Sequence, residues 1–305
     1  MRVAVTGASG RLGRALVEAL EDAPFTGPMG PIAWSRADLD LDTLTTKRVR
    51  ALIDRDRPEL VIHTAAWTDV DGCAREPDLA ARRNGTAAGI VADACAASKV
   101  DVALVSTNEV FDGERTDGRG YAPLDKVNPI NPYGASKLSG EILAEEAAGS
   151  RLAVVRTSWL HGPPGNDFPE KIARAALHAK EAGTPLKVVF DEIGTPTWTP
   201  DLADAIVELI AEDALISGTG GKAAIHHLVN GGVASRADWA REVLRATAIE
   251  VRVEDVPAST WQRASRPPLW AVLAPTPMPS GEPMRDWRVA FAHAAPALVR
   301  ALHGG

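Results

Sequence analysis

Cysteine is scarce in this chain. Cys73 and Cys95 are the only two in 305 residues, and they have neither metal-ligand spacing nor a disulfide framework around them. Both are expected in or near apolar packing. No run of lysine and arginine is long enough to form a nucleic-acid stripe, and the formal net charge is −7. Anionic ligands must therefore be met by local cations and backbone amides, because the overall field repels them. No apolar run approaches the roughly 20 residues of a membrane-spanning helix, and the chain starts on a strand pattern, not a signal peptide. Nucleic acids and membranes are thus not expected partners, and a reducing cytoplasm is the default location. With 45% hydrophobic and 24% charged residues, the composition is that of a globular protein large enough for two lobes.

The clearest signal is at the N-terminus. Residues 2–6 read as a short apolar strand, followed by Gly7-Ala8-Ser9-Gly10-Arg11-Leu12-Gly13 and an amphipathic stretch. Glycine allows backbone angles closed to other residues and lets the main chain approach a pyrophosphate. The following helix aims its free N–H groups and positive dipole end at that anion. A tight structural turn would not need three glycines at three-residue intervals. Strand, turn and helix in this order predict dinucleotide binding.

Short apolar runs at 2–6, 31–35, 60–65, 101–106 and 152–157 alternate with helical spacing at 11–22, 45–57, 77–98 and 132–148. This alternation predicts an α/β fold with a doubly wound parallel (Rossmann) sheet over residues 1–160. A strand near 186–191 is expected to return to that sheet. Residues 161–305 are expected to be mainly a smaller C-terminal α/β substrate lobe, with helices at 167–182, 200–211 and 235–246 and a strand at 224–229. The proline-rich stretch 264–283 reads as irregular.

Chemistry is expected first at Asn131-Pro132-Tyr133-Gly134-Ala135-Ser136-Lys137. Asn131 suits a helix cap and Pro132 a first helical position, which puts Tyr133 and Lys137 on one helical face. A phenol with pKa about 10 is a poor acid–base group at neutral pH, and a nearby ammonium would lower that value. Alone, the pair would read as an ordinary surface feature. Its reading changes because Ser106-Thr107-Asn108-Glu109-Val110-Phe111 ends the fourth strand, where open parallel sheets act on ligands. Thr107 can offer a hydroxyl to the carbonyl oxygen that Tyr133 protonates.

The glycine triplet, the hydroxyl at 107 and Tyr133-x-x-x-Lys137 together resemble the extended short-chain dehydrogenase/reductase superfamily. Within it the chain is most similar to the dTDP-4-dehydrorhamnose reductase family. That similarity also rests on Ala65-Ala66-Trp67-Thr68-Asp69-Val70-Asp71, Glu76-Pro77, Asn84 and Arg156-Thr157-Ser158-Trp159. It continues through Asp191-Glu192-Ile193-Gly194-Thr195-Pro196-Thr197, Asp201-Leu202-Ala203, Ala264-Ser265-Arg266-Pro267 and Trp287. By position, the resemblance makes Thr107, Tyr133 and Lys137 a reductive triad, with Lys137 also on the nicotinamide ribose. Gly7, Ser9, Gly10, Arg11, Leu12, Gly13, Ala65 and Ala66 would line the cofactor groove, with Asp40 and Leu41 on the adenine side. Thr68, Val70, Asn108, Glu109 and Trp159 would face a sugar nucleotide, and Arg266 would reach its pyrophosphate. Outside the triad, a purely structural role stays open for each aromatic or charged residue.

Two positions depart from the family pattern. Asn108-Glu109 stands where Asp-Tyr is usual, and Asn108 lacks the acid that a 4,6-dehydratase uses to eliminate water. Pro268-Leu269-Trp270-Ala271 replaces the usual asparagine–serine continuation after Arg266-Pro267. At the end of the second strand, Ser35 and Arg36 occupy the place of the acid that an NAD site uses. They can bind a 2′-phosphate, which favours NADPH and leaves NADH open. His226 and His227 point to opposite faces of a strand, His63 reads as a core residue, and His161 could line the substrate cleft. No metal is assigned. The expected activity is NADPH-dependent reduction of the C4 ketone of a nucleotide-linked 4-keto-6-deoxy sugar. Alternatives are an epimerase or reductase for a different sugar, and a dinucleotide-binding regulatory subunit resembling that of methionine adenosyltransferase. A homodimer is left open.

Overall fold

The computed structural model describes residues 1–303. Five strands follow the expected runs: β1 (Val3–Thr6), β2 (Ile32–Trp34), β3 (Leu60–His63), β4 (Asp101–Thr107) and β5 (Leu152–Thr157). With the later strand Ala224–His227 they form a six-stranded sheet in the order β2-β1-β3-β4-β5 and then Ala224–His227, every pair parallel. Helices cover both faces, so the strands are apolar on both sides. Val3, Val5, Ile62 and Val105 pack against Leu12, Leu16 and Leu20 of helix α1 (Arg11–Glu21) and against Leu202 and Ile206 of the helix Thr199–Ala211. Ala4, Val61, Leu104 and Val154 face the other way, toward Val49 and Leu52, Val91 and Cys95, and Ala144. The sheet order reverses at β1, whose neighbours are β2 and β3. A crevice opens at such a switch point, beyond the carboxyl ends of the strands.

Two expectations are corrected and one element is new. The run near 186–191 does not return to the central sheet. Its strand Leu186–Val189 pairs in parallel with Val253–Val256 as a separate two-stranded ladder, because Leu186 and Val188 bury against Ala176, Ala240 and Leu244. The sixth central strand is Ala224–His227, and residues 199–227 therefore rejoin the sheet from the second half of the chain. Secondly, the helix expected over 77–98 is interrupted. An α-turn Pro77–Ala80 runs into a π-helical segment Ala81–Thr86 before the helix Ala87–Ala97. There the buried Asn84 accepts from the Trp67 amide at 2.7 Å and donates to the Trp67 carbonyl at 2.9 Å and to Ser136 Oγ at 3.0 Å. Those side-chain bonds take the place of regular helical packing. Thirdly, the chain ends in a helix, Trp287–His303, that the sequence reading did not anticipate; its Trp287 and Phe291 pack with Trp239 and Val243. Residues 264–283 are irregular, as expected, and are pinned by isolated bridges Tyr121–Leu273 and Ile193–Trp270. Among the described residues no helix is long and apolar enough to cross a membrane.

The helix Pro132–Ala148 carries the expected reactive pair. Asn131 caps it by accepting from the Gly134 amide at 2.8 Å, with Pro132 in the first turn. Further along, Glu141 forms a buried ion pair with Arg156 of β5, with Nη2 to Oε2 at 2.6 Å. Ser106 Oγ also donates to Glu141, and Arg156 Nη1 reaches the Pro123 carbonyl at 3.0 Å. Removing one partner of such a pair strands a buried charge. Glu141→Gln is therefore expected to cost on the order of 3–5 kcal/mol of stability, read from a denaturant midpoint. An unchanged midpoint would show that Arg156 is satisfied without Glu141.

Candidate active site

A cleft of about 1120 Å³ lies along the carboxyl ends of the strands. One end is built by the turn between β1 and α1. Gly7 has φ +62°, and a Cβ there would sit 2.9 Å from the Ala65 Cα at the end of β3. A Cβ on Gly13 would run into the Gly7 carbonyl. Helix α1 starts at Gly10 with no side-chain cap and no acidic residue in its first turn. Its first amides are thus free to meet an anion, and the glycines leave room for one. Ser9, Arg11, Leu12, Ala65 and Ala66 face the same space. Arg11 is held there by the carbonyls of Gly162 and Gly165 and by Asp167.

The adenine end differs in detail from the sequence reading. Asp40 and Leu41 line the cleft, as does Arg36, whose side chain is 77% exposed and lies 3.9 Å from Asp40 and 3.7 Å from Asp42. Ser35 does not line it. Its amide and hydroxyl both donate to Asp38, three residues on, at 3.0 Å. Arg83 clamps Asp42 with two bonds of 2.6 and 2.7 Å, which hold that carboxyl below the usual carboxylate range. Of Ser35 and Arg36, only Arg36 faces the cleft.

At the centre, Thr107, Tyr133 and Lys137 come together in the cleft. Lys137 Nζ donates to the Val105 carbonyl at 2.7 Å, and burial pushes its pKa down to about 8. The Tyr133 phenol is pushed up by burial and by the neighbouring Glu109, while hydrogen bonding to Thr107 opposes the shift. The expectation that Lys137 lowers this pKa is thus not what the protein alone shows. Burial dominates and keeps the phenol protonated, the state a proton donor needs. Thr107 Oγ1 accepts from the Glu109 amide at 3.2 Å and lies 3.2 Å from Asn108 Oδ1. Asn108 in turn donates to the Ala271 carbonyl at 3.0 Å, and Glu109 accepts from the helix cap Asn131 at 2.7 Å. Burial raises the Glu109 carboxyl. A protonated phenol, a hydroxyl and an ammonium so placed can hold and protonate a carbonyl oxygen.

Thr68 and Val70 line one side of the cleft and Trp159 another. Trp159 has φ +45°, and Gly194 makes room for its ring: a Cβ there would lie 2.6 Å from Trp159 Cε2. The guanidinium of Arg236 lies 3.6 Å over the Trp159 ring, with Phe168 and Trp239 stacked alongside. Sequence reasoning missed Arg236, Phe168 and Trp239, which look like helix-start and core residues in isolation. Arg266 does not join the cleft. It is exposed, and its carbonyl accepts from Asn131 at 3.1 Å. His161 is buried behind the cleft against Trp239 and Phe291, with its pKa pushed down to about 3 by burial. His63 bonds Thr6 at 2.8 Å; His226 meets the Leu215 carbonyl and His227 that of Tyr121. Burial pushes the Cys73 and Cys95 thiols up to about 11 and about 12.

Residues 1–299 match the family model described as the RmlD substrate binding domain. The chain belongs to that family. It is 35% identical over 297 residues to a dTDP-4-dehydrorhamnose reductase of Streptomyces griseus, covering 96% of this chain and 93% of the relative. A dTDP-4-keto-6-deoxy-D-glucose reductase of Streptomyces niveus is 34% identical, with 96% of each chain covered. Among solved structures, a dTDP-4-dehydrorhamnose reductase from Clostridium acetobutylicum superposes with a TM-score of 0.86 at 30% identity, covering 98% of this chain and 99% of that one. The same-named enzyme from Bacillus anthracis, solved with NADP, gives 0.82 at 29% identity over 97% and 99%.

For this RmlD-family chain the glycine turn and the uncapped start of α1 fit a dinucleotide. Gly13→Ala is expected to weaken NADPH binding by roughly tenfold or more, about 1.4 kcal/mol, because the new Cβ displaces the Gly7 carbonyl. Fluorescence titration of the reduced cofactor measures this. Unaltered affinity would show that the turn has slack.

Proposed function

We infer that this protein is an NADPH-dependent reductase of the C4 ketone of a nucleotide-linked 4-keto-6-deoxy sugar. The observation that carries this reading is the convergence of Thr107, Tyr133 and Lys137 in one cleft with the glycine turn. The names of the Streptomyces relatives support the substrate class. The NADP bound to the Bacillus anthracis structure supports the cofactor.

NADPH, when bound, supplies the hydride that the carbonyl carbon receives. Gly7, Gly10, Gly13 and the first amides of α1 would hold its pyrophosphate, Ala65 and Ala66 its groove, and Arg36 its 2′-phosphate. Tyr133 gives its phenolic proton to the ketone oxygen, which becomes the hydroxyl of a secondary alcohol and leaves Tyr133 as phenolate. Thr107 orients that oxygen with its hydroxyl. Lys137 holds the nicotinamide ribose and stabilises the phenolate until solvent returns a proton. Thr68, Val70 and Trp159 face the sugar nucleotide. Asn108, with no acidic proton to give and its amide spent on the Ala271 carbonyl, argues against elimination of water. Buried thiols and NADPH use support action in the cytoplasm.

The test is NADPH absorbance decay with dTDP-4-keto-6-deoxyglucose, with and without a matching 3,5-epimerase, followed by identification of the product sugar. Consumption in either arm supports the reading, and the arm identifies the sugar isomer. Cofactor binding without consumption in both arms would sink it. Tyr133→Phe should lower turnover roughly 10²- to 10⁴-fold while leaving NADPH affinity nearly unchanged. Turnover should also fall as pH rises through about 8, where Lys137 loses its proton. A rate flat across that range would show that the ammonium is not needed.

A further inference from the structure

Among the described residues six cations line the cleft: Arg36 sits at its adenine end with only loose ion pairs, Lys171 is exposed, and three others already have hydrogen-bond acceptors in the protein. Arg11 is bonded to Gly162, Gly165 and Asp167, Arg83 to Asp42, and Lys137 gives one of its three N–H donors to the Val105 carbonyl and stands beside Tyr133. Arg236 is different. Its Nε meets Glu192 Oε2 at 3.4 Å, and among the described residues neither of its Nη groups has a protein acceptor. The guanidinium is fixed nonetheless. The Trp159 ring lies 3.6 Å beneath it, and Glu192 is buried and held from its other oxygen by Arg263 at 3.1 Å. One helical turn on, the fully buried Trp239 lines the same wall with its Nε1 hydrogen-bonded to nothing. The site therefore offers a planar two-pronged donor held rigid by stacking. Guanidinium forks of this kind match phosphate oxygens in pairs.

Building on the reductase reading above, we propose that Arg236 receives the sugar-side phosphate of the nucleoside diphosphate sugar, its two Nη groups each donating to one phosphate oxygen. The position fits. Arg236 and Glu109 lie close enough for their charges to act on each other, and Glu109 acts in the same way on Tyr133. A pyranose that presents C4 to Tyr133 puts its anomeric phosphate one ring away, and Trp159 and Arg236 line the same cleft as Tyr133. With a net charge of −7, the protein has no diffuse positive field to hold a diphosphate, so a local cation has to. Burial pushes the Arg236 pKa down to about 10, which leaves it charged at neutral pH. Arg266, placed on the pyrophosphate by family resemblance, is exposed outside the cleft.

The test titrates the NADPH-bound enzyme with dTDP and dTMP, and with UDP and UMP in parallel, for wild type, Arg236→Gln and Arg236→Lys. Arg236→Gln should weaken nucleoside diphosphate binding by roughly 10- to 100-fold and raise the KM for the sugar nucleotide similarly. Monophosphate affinity should barely change. Arg236→Lys, which keeps the charge but loses the fork, should fall between. NADPH affinity serves as the control for folding, and Arg236→Lys carries the test if the glutamine variant fails that control. Equal losses for mono- and diphosphate would overturn the assignment, as would a higher KM with diphosphate affinity unchanged, which marks sugar hydroxyls as the partner. Failure of the wild type to bind any nucleoside diphosphate would also overturn it. If the diphosphate binds through Arg236 but no ketone is reduced, the site stands and the reductase reading falls.

Discussion

The reactive end of the cleft depends on how the last three residues of β4 are bonded to one helix. The Val105 carbonyl accepts from Lys137, Ser106 Oγ donates to Glu141, and Thr107 meets Tyr133. The middle contact is the firm one, because Glu141 is also locked to Arg156 of β5 in a buried ion pair. Burying two charges is costly unless every remaining donor and acceptor is met. Here Ser106 and the Pro123 carbonyl meet them. That arrangement fixes the rotation and height of the helix against two strands at once. The spacing of Thr107, Tyr133 and Lys137 follows from it and needs no ligand to establish it.

A second polar path runs from the helix cap toward the substrate side. Asn131 caps the helix with its oxygen and gives its nitrogen to Glu109 and to the Arg266 carbonyl. Glu109 lies in turn within the field of Arg236, Glu192 and Arg263. The charges of Arg236, Glu192 and Arg263 therefore act on a carboxyl that in turn acts on the phenol. Glu109 raises Tyr133 while Arg236 and Arg263 favour the ionised form of Glu109.

What could be read from the sequence was what depends on neighbours in sequence. The glycine turn, the Asn131-Pro132 helix start and the strand run at 152–157 are local signals, and the structure places each where it was expected. Leu186–Val189 was misassigned to the central sheet because its partner is Val253–Val256, and no local pattern names a partner that far away. Arg236 was invisible for a related reason: its chemistry exists only once Trp159 and Glu192 fold against it. Ser35 is a case where the signal was present and underweighted. An aspartate three residues on, Asp38, accepts from the Ser35 hydroxyl.

The π-helical segment Ala81–Thr86 has one consequence beyond its own hydrogen bonds. A π turn adds a residue to the winding, which changes the angular phase of everything before it relative to everything after. Before and within it, Arg83 looks toward Asp42 and the cleft; after it, Val91 and Cys95 look toward the sheet. With the extra residue removed and the winding made regular, one half would turn by about 100° relative to the other. The segment is thus a phase shifter that lets a single stretch of chain line the cleft with one face and the core with another.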